Sequence, residues 1–517
     1  MYCSLHSMGI NGIEGFAVEA EADLSRGMPA FDIVGLPDAA VKESRDRVRA
    51  VFANLGCPFP TGKVVINLAP ASLKKSGPLY DLPILLALLQ LSGAVRLPDV
   101  SKCAFIGELS LAGEVRPVAG ALSMVLAARD AGYESVFLPA ANGAEGSVVQ
   151  GVSVYPVEHI RQLLDHLSGV EAIQPAAYTP PDLTGDIVMA GLPDFSEVRG
   201  QQNAKRALEV AAAGGHNLLM IGPPGTGKSM LAKRLPSILP PLTFEEAIET
   251  TRIHSVAGIL PAGEALVHTR PFRAPHHTVS PAGLTGGGSN PLPGDISLAH
   301  NGVLFLDELP EFEKRALEVL RQPMEDGELT ISRATSRVRY PASTMLVAAM
   351  NPCPCGYYGH PTRPCTCGEA KIAMYLGRVS GPMLDRIDLH VEVLPVQYEE
   401  LADAAPAEPS KDIRARVMKA RQLQSKRYEG TGVTCNARLT PTLLRQECVL
   451  TSDAETMLHM AFDKLGLSGR SYERVLKVSR TIADLDGSES ITSDHVAEAI
   501  QYRGLDRKYW QRKSALL

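Results

Sequence analysis

The sequence predicts an α/β protein in three parts, and three observations support this prediction. Short apolar runs alternate with helical patterns over the first 170 residues, a second set of apolar strands surrounds a glycine-rich loop, and the pattern is helical from about residue 408 to 505. A chain of 517 residues is also long enough for about three domains. We therefore expect an N-terminal α/β domain at 1–172, a linker at 173–194, an α/β core with a parallel sheet at 195–400 and a C-terminal helical domain at 401–517.

The composition is that of an ordinary soluble globular protein, with 45% hydrophobic and 21% charged residues. The net charge of −6 excludes a basic coat for nucleic acid, so any nucleic-acid contact must come from local basic patches. The N-terminus "MYCSLHSMGI" lacks a basic region followed by an apolar block, so no signal peptide is visible. Nine cysteines without a secretion signal indicate a reducing compartment, and we expect a cytoplasmic protein without membrane contact.

In the first part, four short apolar runs predict strands, and three longer segments predict helices. The longest apolar segment, residues 82–95, is too short to span a bilayer and predicts a buried core helix. The segment "IQPAAYTPPDLTGD" (173–186) has no periodicity and is rich in proline and small residues, as linkers are. The predicted strands are "FDIVGL", "KVVINLAP", "CAFIGELSL" and "SVFLPA", and the other helices are "DAAVKESRDRVRAVFANLG" and "ALSMVLAARDAG".

The second part contains a phosphate-binding loop. The strand "NLLMI" precedes it and "SMLAKRL" can begin a helix after it, which is the context that the motif G-x-x-x-x-G-K-[ST] requires. Backbone N–H groups would close around phosphate, Lys228 would reach the β- and γ-phosphates of ATP, and the Ser229 hydroxyl would bind Mg²⁺. The motif residues are Gly222, Pro223, Pro224, Gly225, Thr226, Gly227, Lys228 and Ser229.

Two further strands end in polar residues suited to ATP hydrolysis. The strand "GVLFLDEL" ends in Asp307 and Glu308; Asp307 can hold Mg²⁺ through water, and Glu308 can polarise the attacking water. Asn351 ends the strand "STMLVAAMNP" and could orient the same water. The plainer alternatives are a strand that ends in surface acids and an asparagine in a turn before proline.

Two arginines are candidates for contacts with nucleotide phosphates. Arg386 lies among apolar residues in "GPMLDRIDLH", where it could form a buried salt bridge with Asp385 or Asp388 or serve as an arginine finger toward a neighbouring subunit. Arg470 lies at the start of a predicted helix, where it could contact phosphates or simply face solvent.

Together these residues resemble AAA+ ATPases with a C-terminal helical lid, and more closely the magnesium-chelatase-like branch with the bacterial ComM/YifB family. The resemblance implies an ATP site of Lys228, Ser229, Asp307, Glu308 and Asn351. It also implies a homohexamer in which Arg386 is the finger in trans and Arg470 the second sensor. The matching stretches are "IVGLPDAAVKESRDRVRAVFANLG", "GPPGTGKSMLAKRLPSILPPL", "RPFRAPHHTVSPAGLTGGG", "GVLFLDELPEF", "AAMNPCPCG" and "SGPMLDRIDLHVEV".

The N-terminal part resembles the proteolytic domain of Lon. Lon-type proteases place a nucleophilic serine just after a Gly-Pro step and a lysine in a later helix. Here Leu79 follows Gly77–Pro78, and the lysine position falls at about Leu122. A leucine can neither attack a carbonyl nor accept a proton, so we expect a catalytically dead protease fold. Ser76 and Lys74–Lys75 precede the Gly-Pro step and do not fit the pattern.

Four cysteines lie within fifteen residues in "NPCPCGYYGHPTRPCTCGEA". The two C-x-C pairs, Cys353 with Cys355 and Cys365 with Cys367, could close around one structural Zn²⁺, with His360 as a possible substitute ligand. The alternative is four reduced thiols, but a loop rich in proline and glycine offers no core to bury them.

Basic residues are concentrated in three segments. The segment "GELTISRATSRVRYPAS" (327–343) alternates like a hairpin with Thr335–Ser336 near its tip, and its arginines Arg333, Arg337 and Arg339 predict a DNA contact. A solvated hairpin is the alternative. The segment 270–295, with Arg270, Arg273, His276, His277 and the glycines Gly286–Gly288, predicts a mobile insert that contacts the polymer, although its histidine pair could also be a metal site or a turn. The basic segment 411–428 reads as a solvated lid helix with a smaller chance of a nucleic-acid contact.

The leading hypothesis is an ATP-driven hexameric motor that moves on single-stranded or branched DNA in natural transformation, recombination or repair. One alternative is a chelatase-type motor subunit, although nothing in the chain resembles the metal-binding integrin-like partner domain. Another is a protein unfoldase or adaptor that uses the inactive protease-like domain to hold clients. Polarity of movement and partner proteins cannot be derived from these motifs.

Overall fold

The protein is described by a computed structural model. It describes residues 1–178, 191–261, 263–288, 291–332, 337–396, 400, 407–465 and 467–510.

The strands form one large sheet in each of the first two parts and three short two-stranded ladders. They are β1 Tyr2–Asn11, β2 Glu14–Ser25, β3 Ala30–Val34, β4 Lys63–Ala69, β5 Cys103–Phe105, β6 Glu108–Leu109, β7 Val115–Arg116, β8 Ser135–Pro139, β9 Ser153–Val157, β10 Leu218–Ile221, β11 Phe272–Arg273, β12 Gly286–Gly287, β13 Leu292–Pro293, β14 Val303–Leu306, β15 Glu328–Ser332, β16 Arg337–Pro341, β17 Met345–Met350 and β18 Leu389–Glu392.

The α-helices flank these sheets and make up the C-terminal part. They are α1 Ala39–Lys42, α2 Ser44–Asn54, α3 Asp81–Leu91, α4 Ala121–Asp130, α5 Gly143–Ser147, α6 Ile160–Leu167, α7 Gln202–Gly214, α8 Lys228–Arg234, α9 Phe244–Val256, α10 Pro281–Thr285, α11 Asp295–Leu298, α12 Lys314–Glu318, α13 Arg321–Asp326, α14 Glu369–Leu376, α15 Gly381–Leu384, α16 Ser410–Arg427, α17 Pro441–Glu447, α18 Ser452–Leu465, α19 Gly469–Asp486, α20 Ser493–Gln501 and α21 Gly504–Tyr509.

The N-terminal domain is a seven-stranded mixed sheet in the order β3-β4-β2-β1-β5-β8-β9. Strands β1 and β2 form a long antiparallel hairpin that adds to the four strands the sequence predicts, and β9 closes the far edge. The predicted core helix is α3, and every residue of it except Gln90 is buried. The predicted helix at 38–56 divides into α1 and α2 at Glu43.

The core is a five-stranded parallel sheet in the order β11-β14-β17-β10-β18. Its interior strands β10, β14 and β17 are buried along their whole length, as expected for a parallel sheet covered on both faces. Their carboxyl ends meet at one edge, which is where ligands bind in open α/β sheets. The predicted order of strand, loop and helix around residues 218–234 is confirmed.

The first two parts are joined by packing as well as by the chain. Leu242, Ala247 and Leu266 of the core belong to the apolar cluster of the N-terminal domain. Arg252 of α9 pairs with Glu14 at 2.8 Å and donates to the carbonyl of Ile13 at 2.9 Å. The turn between β1 and β2 is therefore fixed on the core.

The start of the predicted linker belongs to the N-terminal domain. Ile173 is buried, and the N–H of Ala176 donates to the carbonyl of Val154 at 2.8 Å. Residues 179–190, in the middle of the predicted linker, lie outside the described residues.

The C-terminal part is helical, as predicted, and packs on the core. Helix α16 buries Ile413, Val417 and Ala420 against α7, while Arg416 pairs with Glu209 and Glu408 at 2.5 Å each. This pairing favours the solvated-helix interpretation of the basic segment 411–428. Within the described residues, no helix combines the length and apolar character that a bilayer crossing requires.

Candidate nucleotide site and its surroundings

The phosphate loop joins β10 to α8. Gly225 and Gly227 have φ angles of 79° and 86°, in the region that favours glycine, and a Cβ on Gly222 would lie 2.1 Å from the carbonyl oxygen of Val393. The loop therefore needs these glycines for its shape and for its close approach to the neighbouring chain. The residues that line the cavity beside it are Pro224, Gly225, Thr226, Gly227, Lys228, Ser229, Met230, Asp307, Glu308, Met350 and Asn351.

Lys228 is buried beneath this loop. Its Nζ donates to the carbonyls of Gly222 and Pro223 at 2.8 Å each and to Oδ1 of Asn351 at 3.2 Å. Burial lowers the pKa of Lys228 to about 8, although Asp307 and Glu308 act in the opposite direction. An ammonium in this place would be stabilised by an anion in the cavity.

Asp307 and Glu308 follow β14 at the same edge of the sheet. The Ser229 hydroxyl donates to Oδ2 of Asp307 at 2.5 Å, so a hydroxyl and a carboxylate, both ligand types that Mg²⁺ takes, meet at one point. Glu308 adopts the left-handed region with φ 54°, and its N–H donates to Oδ1 of Asp307 at 3.0 Å. Its carboxylate is more than half exposed and free to reach a water molecule.

His277 is a site residue that the sequence did not single out for this role. Its Nδ1 lies 3.5 Å from Oε2 of Glu308, and its ring lies 4.1 Å from that of His276, measured between centroids. The histidine pair is visible in the sequence, but its place beside Glu308 depends on the path of the chain after β11.

The four cysteines converge beside the phosphate loop. The Sγ atoms of Cys353, Cys355 and Cys365 lie 3.3 to 3.6 Å apart, and all four Sγ atoms, including that of Cys367, lie within 4.8 Å of one another. A Cβ on Gly356 would lie 2.4 Å from Cδ of Pro224, so this cysteine loop packs directly on the phosphate loop.

The environment of the thiols favours a thiolate in the cluster. Burial raises the pKa of Cys353 to about 12. Burial also opposes ionisation of Cys355, yet the N–H groups of Tyr357 and Thr366 lower its pKa to about 5. His360 is not part of the cluster; its Nδ1 accepts from the N–H groups of Thr362 and Arg363 at 3.1 and 3.0 Å.

The predicted hairpin is formed by β15 and β16, which pair antiparallel with Arg337 opposite Ser332 and Arg339 opposite Thr330. Val338 and Tyr340 are buried, whereas Arg337 and Arg339 are exposed on the opposite face. Arg333 and the tip at 335–336 lie outside the described residues. The base of the hairpin touches the N-terminal domain, since a Cβ on Gly12 would lie 2.3 Å from Cγ1 of Val338.

Arg386 and Arg470 line a second cavity, separate from the one beside the phosphate loop. Arg386 is buried and pairs with Glu325 at 2.5 Å, not with the predicted partners Asp385 or Asp388. Asp388 is instead paired with Arg474 at 3.2 Å. Among the described residues that line this cavity, the cations are Arg386, Arg438, Arg470, Arg474 and Lys477.

Arg270 and Arg273 are not arranged as the sequence predicts. Arg270 pairs with Glu246 at 2.7 Å and donates to the carbonyls of Pro240, Pro241 and Asn301. Arg273 is in the edge strand β11 and pairs with Asp295 at 2.8 Å. The prediction of a mobile insert is therefore wrong for the start of this segment, because the buried Arg270 requires an acid partner and β11 is part of the central sheet.

The cleft of the N-terminal domain contains no nucleophile at the expected place. Leu79 and Leu122 are both buried in the apolar cluster of this domain. Ser76 lines the cleft, but the Nζ of the adjacent buried Lys75 donates to the carbonyl of Pro70. A segment of the core, Pro291–Leu292, covers part of the same cleft.

Family models match three stretches of the chain, in the order of the three predicted parts. "Subunit ChlI of Mg-chelatase" matches residues 20–142, "Magnesium chelatase, subunit ChlI" matches 194–401, and "Magnesium chelatase, subunit ChlI C-terminal" matches 407–503.

Similar proteins cover nearly the whole chain. It is 43% identical over 504 residues to "Uncharacterized protein YifB" of Escherichia coli K12 and 42% identical over 508 residues to "Competence protein ComM" of Haemophilus influenzae, with 97% of each chain covered in both cases. It is 25% identical over 338 residues to "Magnesium-chelatase 38 kDa subunit" of Rhodobacter capsulatus, which covers 58% of this chain and 84% of that protein.

Proposed function

Because the chain belongs to the magnesium-chelatase ChlI-type family of AAA+ ATPases, together with the YifB and ComM proteins, we propose that it is an ATP-driven motor that moves on DNA. One observation carries the proposal. The core that holds the phosphate loop also holds the β15–β16 hairpin, whose arginines face outward while its other face is buried.

The residues at the sheet edge fit ATP and Mg²⁺. Lys228 would bind the β- and γ-phosphates once its N–H groups leave the loop carbonyls, and Ser229 with Asp307 would hold Mg²⁺, which supplies charge neutralisation for phosphoryl transfer. Glu308 would orient the attacking water, and Asn351 would fix Lys228 or that water.

The hairpin arginines are proposed to contact DNA phosphates. Two exposed cations in one subunit give a modest attraction, but repetition around a ring would make a strongly cationic channel. Contacts to phosphates do not read sequence, so binding should be similar for all DNA sequences.

The test is ATP hydrolysis by the full chain with forked DNA, single-stranded DNA and an unfolded protein. Forked DNA is expected to raise the rate. In Arg337→Ala with Arg339→Ala, DNA binding and its stimulation should fall while basal hydrolysis persists, and the affinity loss should shrink as salt rises. Wild-type DNA binding and stimulation in this double variant would remove the hairpin from the mechanism.

A homohexamer with sites between subunits is the assembly we propose. Arg386 and Arg470 line a cavity other than that of their own phosphate loop, which suits contacts with a neighbouring subunit's nucleotide. Arg386→Ala should bind nucleotide but hydrolyse it poorly, and mixing it with Lys228→Ala should restore part of the activity. The absence of recovery in mixed rings, once these are shown to form, would contradict the role in trans.

The cysteine cluster is proposed to bind one structural Zn²⁺. Four sulfur atoms within 4.8 Å of one another are suited to a closed tetrahedral site, which leaves no position open for chemistry. Metal analysis under reducing, chelator-free conditions should find about one zinc per chain, and finding none would leave four free thiols.

Two other functions remain open to test. A chelatase-type motor is suggested by the family models and by the Rhodobacter relative's name, and an unfoldase or adaptor by the retained but inactive N-terminal fold. Filter binding with forked DNA and an unfolded protein separates the DNA motor from the unfoldase. Stimulation of hydrolysis by neither polymer would favour the chelatase-type motor.

A further inference from the structure

Glu325 neutralises the arginine that is proposed to act on a neighbouring subunit. Arg386 Nη2 lies 2.5 Å from Glu325 Oε1, and its Nη1 donates to the carbonyl of Pro382 at 2.7 Å. The Arg386 side chain is 7% exposed, whereas that of Glu325 is 48% exposed. A buried cation is thus held by a carboxylate that solvent and neighbouring molecules can reach.

The cavity in front of Arg386 is suited to an anion, yet Glu325 lines it. Arg470, Arg474 and Lys477 line the same cavity, and within the described part of the chain the buried Nε of Arg386 has no hydrogen-bond partner. A carboxylate here cancels charge on the guanidinium and repels an approaching phosphate. Full use of Arg386 therefore requires Glu325 to move.

Glu325 is placed where the hairpin can move it. It lies in α13, which ends at Asp326, and β15 begins at Glu328 after Gly327, whose φ is 70°. The carbonyl of Gly327 accepts from the N–H of Ala342 at 2.8 Å, which closes the base of the hairpin. Two residues separate Glu325 from the first hairpin strand, so a displacement of the hairpin acts on the end of α13.

We propose that Glu325 is a positioning residue that withholds Arg386 from the neighbouring subunit until DNA on the hairpin displaces it. The inference rests on the proposed function, since it takes Arg386 as the finger in trans and the hairpin as the DNA contact. It adds the link between them: DNA stimulates hydrolysis by breaking the Glu325–Arg386 pair.

The experiment measures kcat and KM for ATP in the full-length protein, with and without forked DNA. Glu325→Gln should raise the DNA-free kcat by about threefold to tenfold, leave the KM within about twofold, and reduce the further stimulation by DNA. Glu325→Asp, which keeps the charge, should lie near wild type. Asp326→Asn is the matched control, because it removes the same charge from the adjacent exposed position of α13, and it should behave as wild type.

The double variant Glu325→Gln with Arg386→Ala separates this inference from its premise. It should hydrolyse ATP as slowly as Arg386→Ala alone, because Glu325 acts only through Arg386. A DNA-free rate of Glu325→Gln at or below wild type, or a gain that survives the loss of Arg386, overturns the inference. Absence of DNA stimulation in the wild type would instead contradict the proposed function, while the DNA-free comparison would still decide whether Glu325 restrains Arg386.

Discussion

The two α/β units of this protein differ at corresponding places. In the core, the Gly222–Pro223 step opens a loop that leads to Lys228, which is buried and hydrogen-bonded to two carbonyls and Asn351. In the N-terminal domain, Gly77–Pro78 leads to Leu79, which is buried in an apolar cluster. The comparison teaches that the fold fixes where a site can lie, whereas the side chains decide whether chemistry occurs there.

Each unit also buries a lysine against backbone carbonyls. Lys228 lines the cavity beside Asp307 and Glu308, whereas Lys75 is fully buried and donates to the carbonyl of Pro70. The first lysine faces a space that an anion could enter, and the second is enclosed by its own domain. We therefore expect the same substitution to have opposite consequences in the two places.

The largest effect is expected for Lys228→Ala. It should abolish ATP hydrolysis, because the loop loses the cation that binds the β- and γ-phosphates. The control Lys75→Ala should retain kcat but lose about 2–4 kcal/mol of unfolding free energy, since it leaves a cavity and a carbonyl without its donor. Steady-state kinetics and urea unfolding measure both properties; hydrolysis that survives in Lys228→Ala would break the comparison.

Glu308→Gln should lower kcat by about 10²–10⁴-fold while ATP still binds. The amide cannot accept a proton from water, but the Ser229–Asp307 pair that is suited to Mg²⁺ is unchanged. The bound nucleotide should remain ATP when the protein is denatured and its contents are separated. Turnover at the wild-type rate would show that Glu308 is not the residue that activates water.

Local motifs made much of this predictable. The phosphate loop, the strand-end acids and the alternation of the hairpin are encoded over a few neighbouring residues, and the structure places Lys228, Ser229, Asp307, Glu308 and Asn351 around one cavity. The long β1–β2 hairpin lay outside the predicted strands, although "YCSLHSMGIN" partly alternates between buried and more exposed positions.

Contacts between distant segments could not be predicted in this way. Arg386 was assigned to acids two residues or fewer away, but its partner Glu325 lies on another helix. Arg270 looked available for DNA because its sequence neighbours include no acid, whereas the fold brings Glu246 to it. His277 reaches Glu308 only because β11 and β14 are adjacent in the sheet.

A smaller effect is expected when pH changes in the wild type. Burial lowers the pKa of Lys228 to about 8, and nucleotide phosphates favour its charged form. Below pH 8 the free protein already carries this charge. Above it, binding must be accompanied by proton uptake, so ATP affinity should fall by up to about tenfold per pH unit until the pKa of the bound form is reached. Titration with a fluorescent nucleotide between about pH 7.5 and 9.5 measures this; Lys228→Arg, which keeps its charge, should show no such fall, and an unchanged wild-type affinity would contradict the argument.

The smallest effect is expected where the comparison predicts none, in the cleft of the N-terminal domain. Leu79→Ser restores a hydroxyl next to the Gly-Pro step, but Leu122 remains aliphatic and Lys75 is committed to the carbonyl of Pro70. With no base to accept its proton, this serine should not cleave casein or small peptides, and ATP hydrolysis should match the wild type. Wild-type protein and Ser76→Ala should be equally inactive as peptidases. Cleavage by the wild type that survives repurification and disappears in Ser76→Ala would show that the cleft contains working chemistry, and the contrast between the two units would then be one of reaction type and not of active against inactive sites.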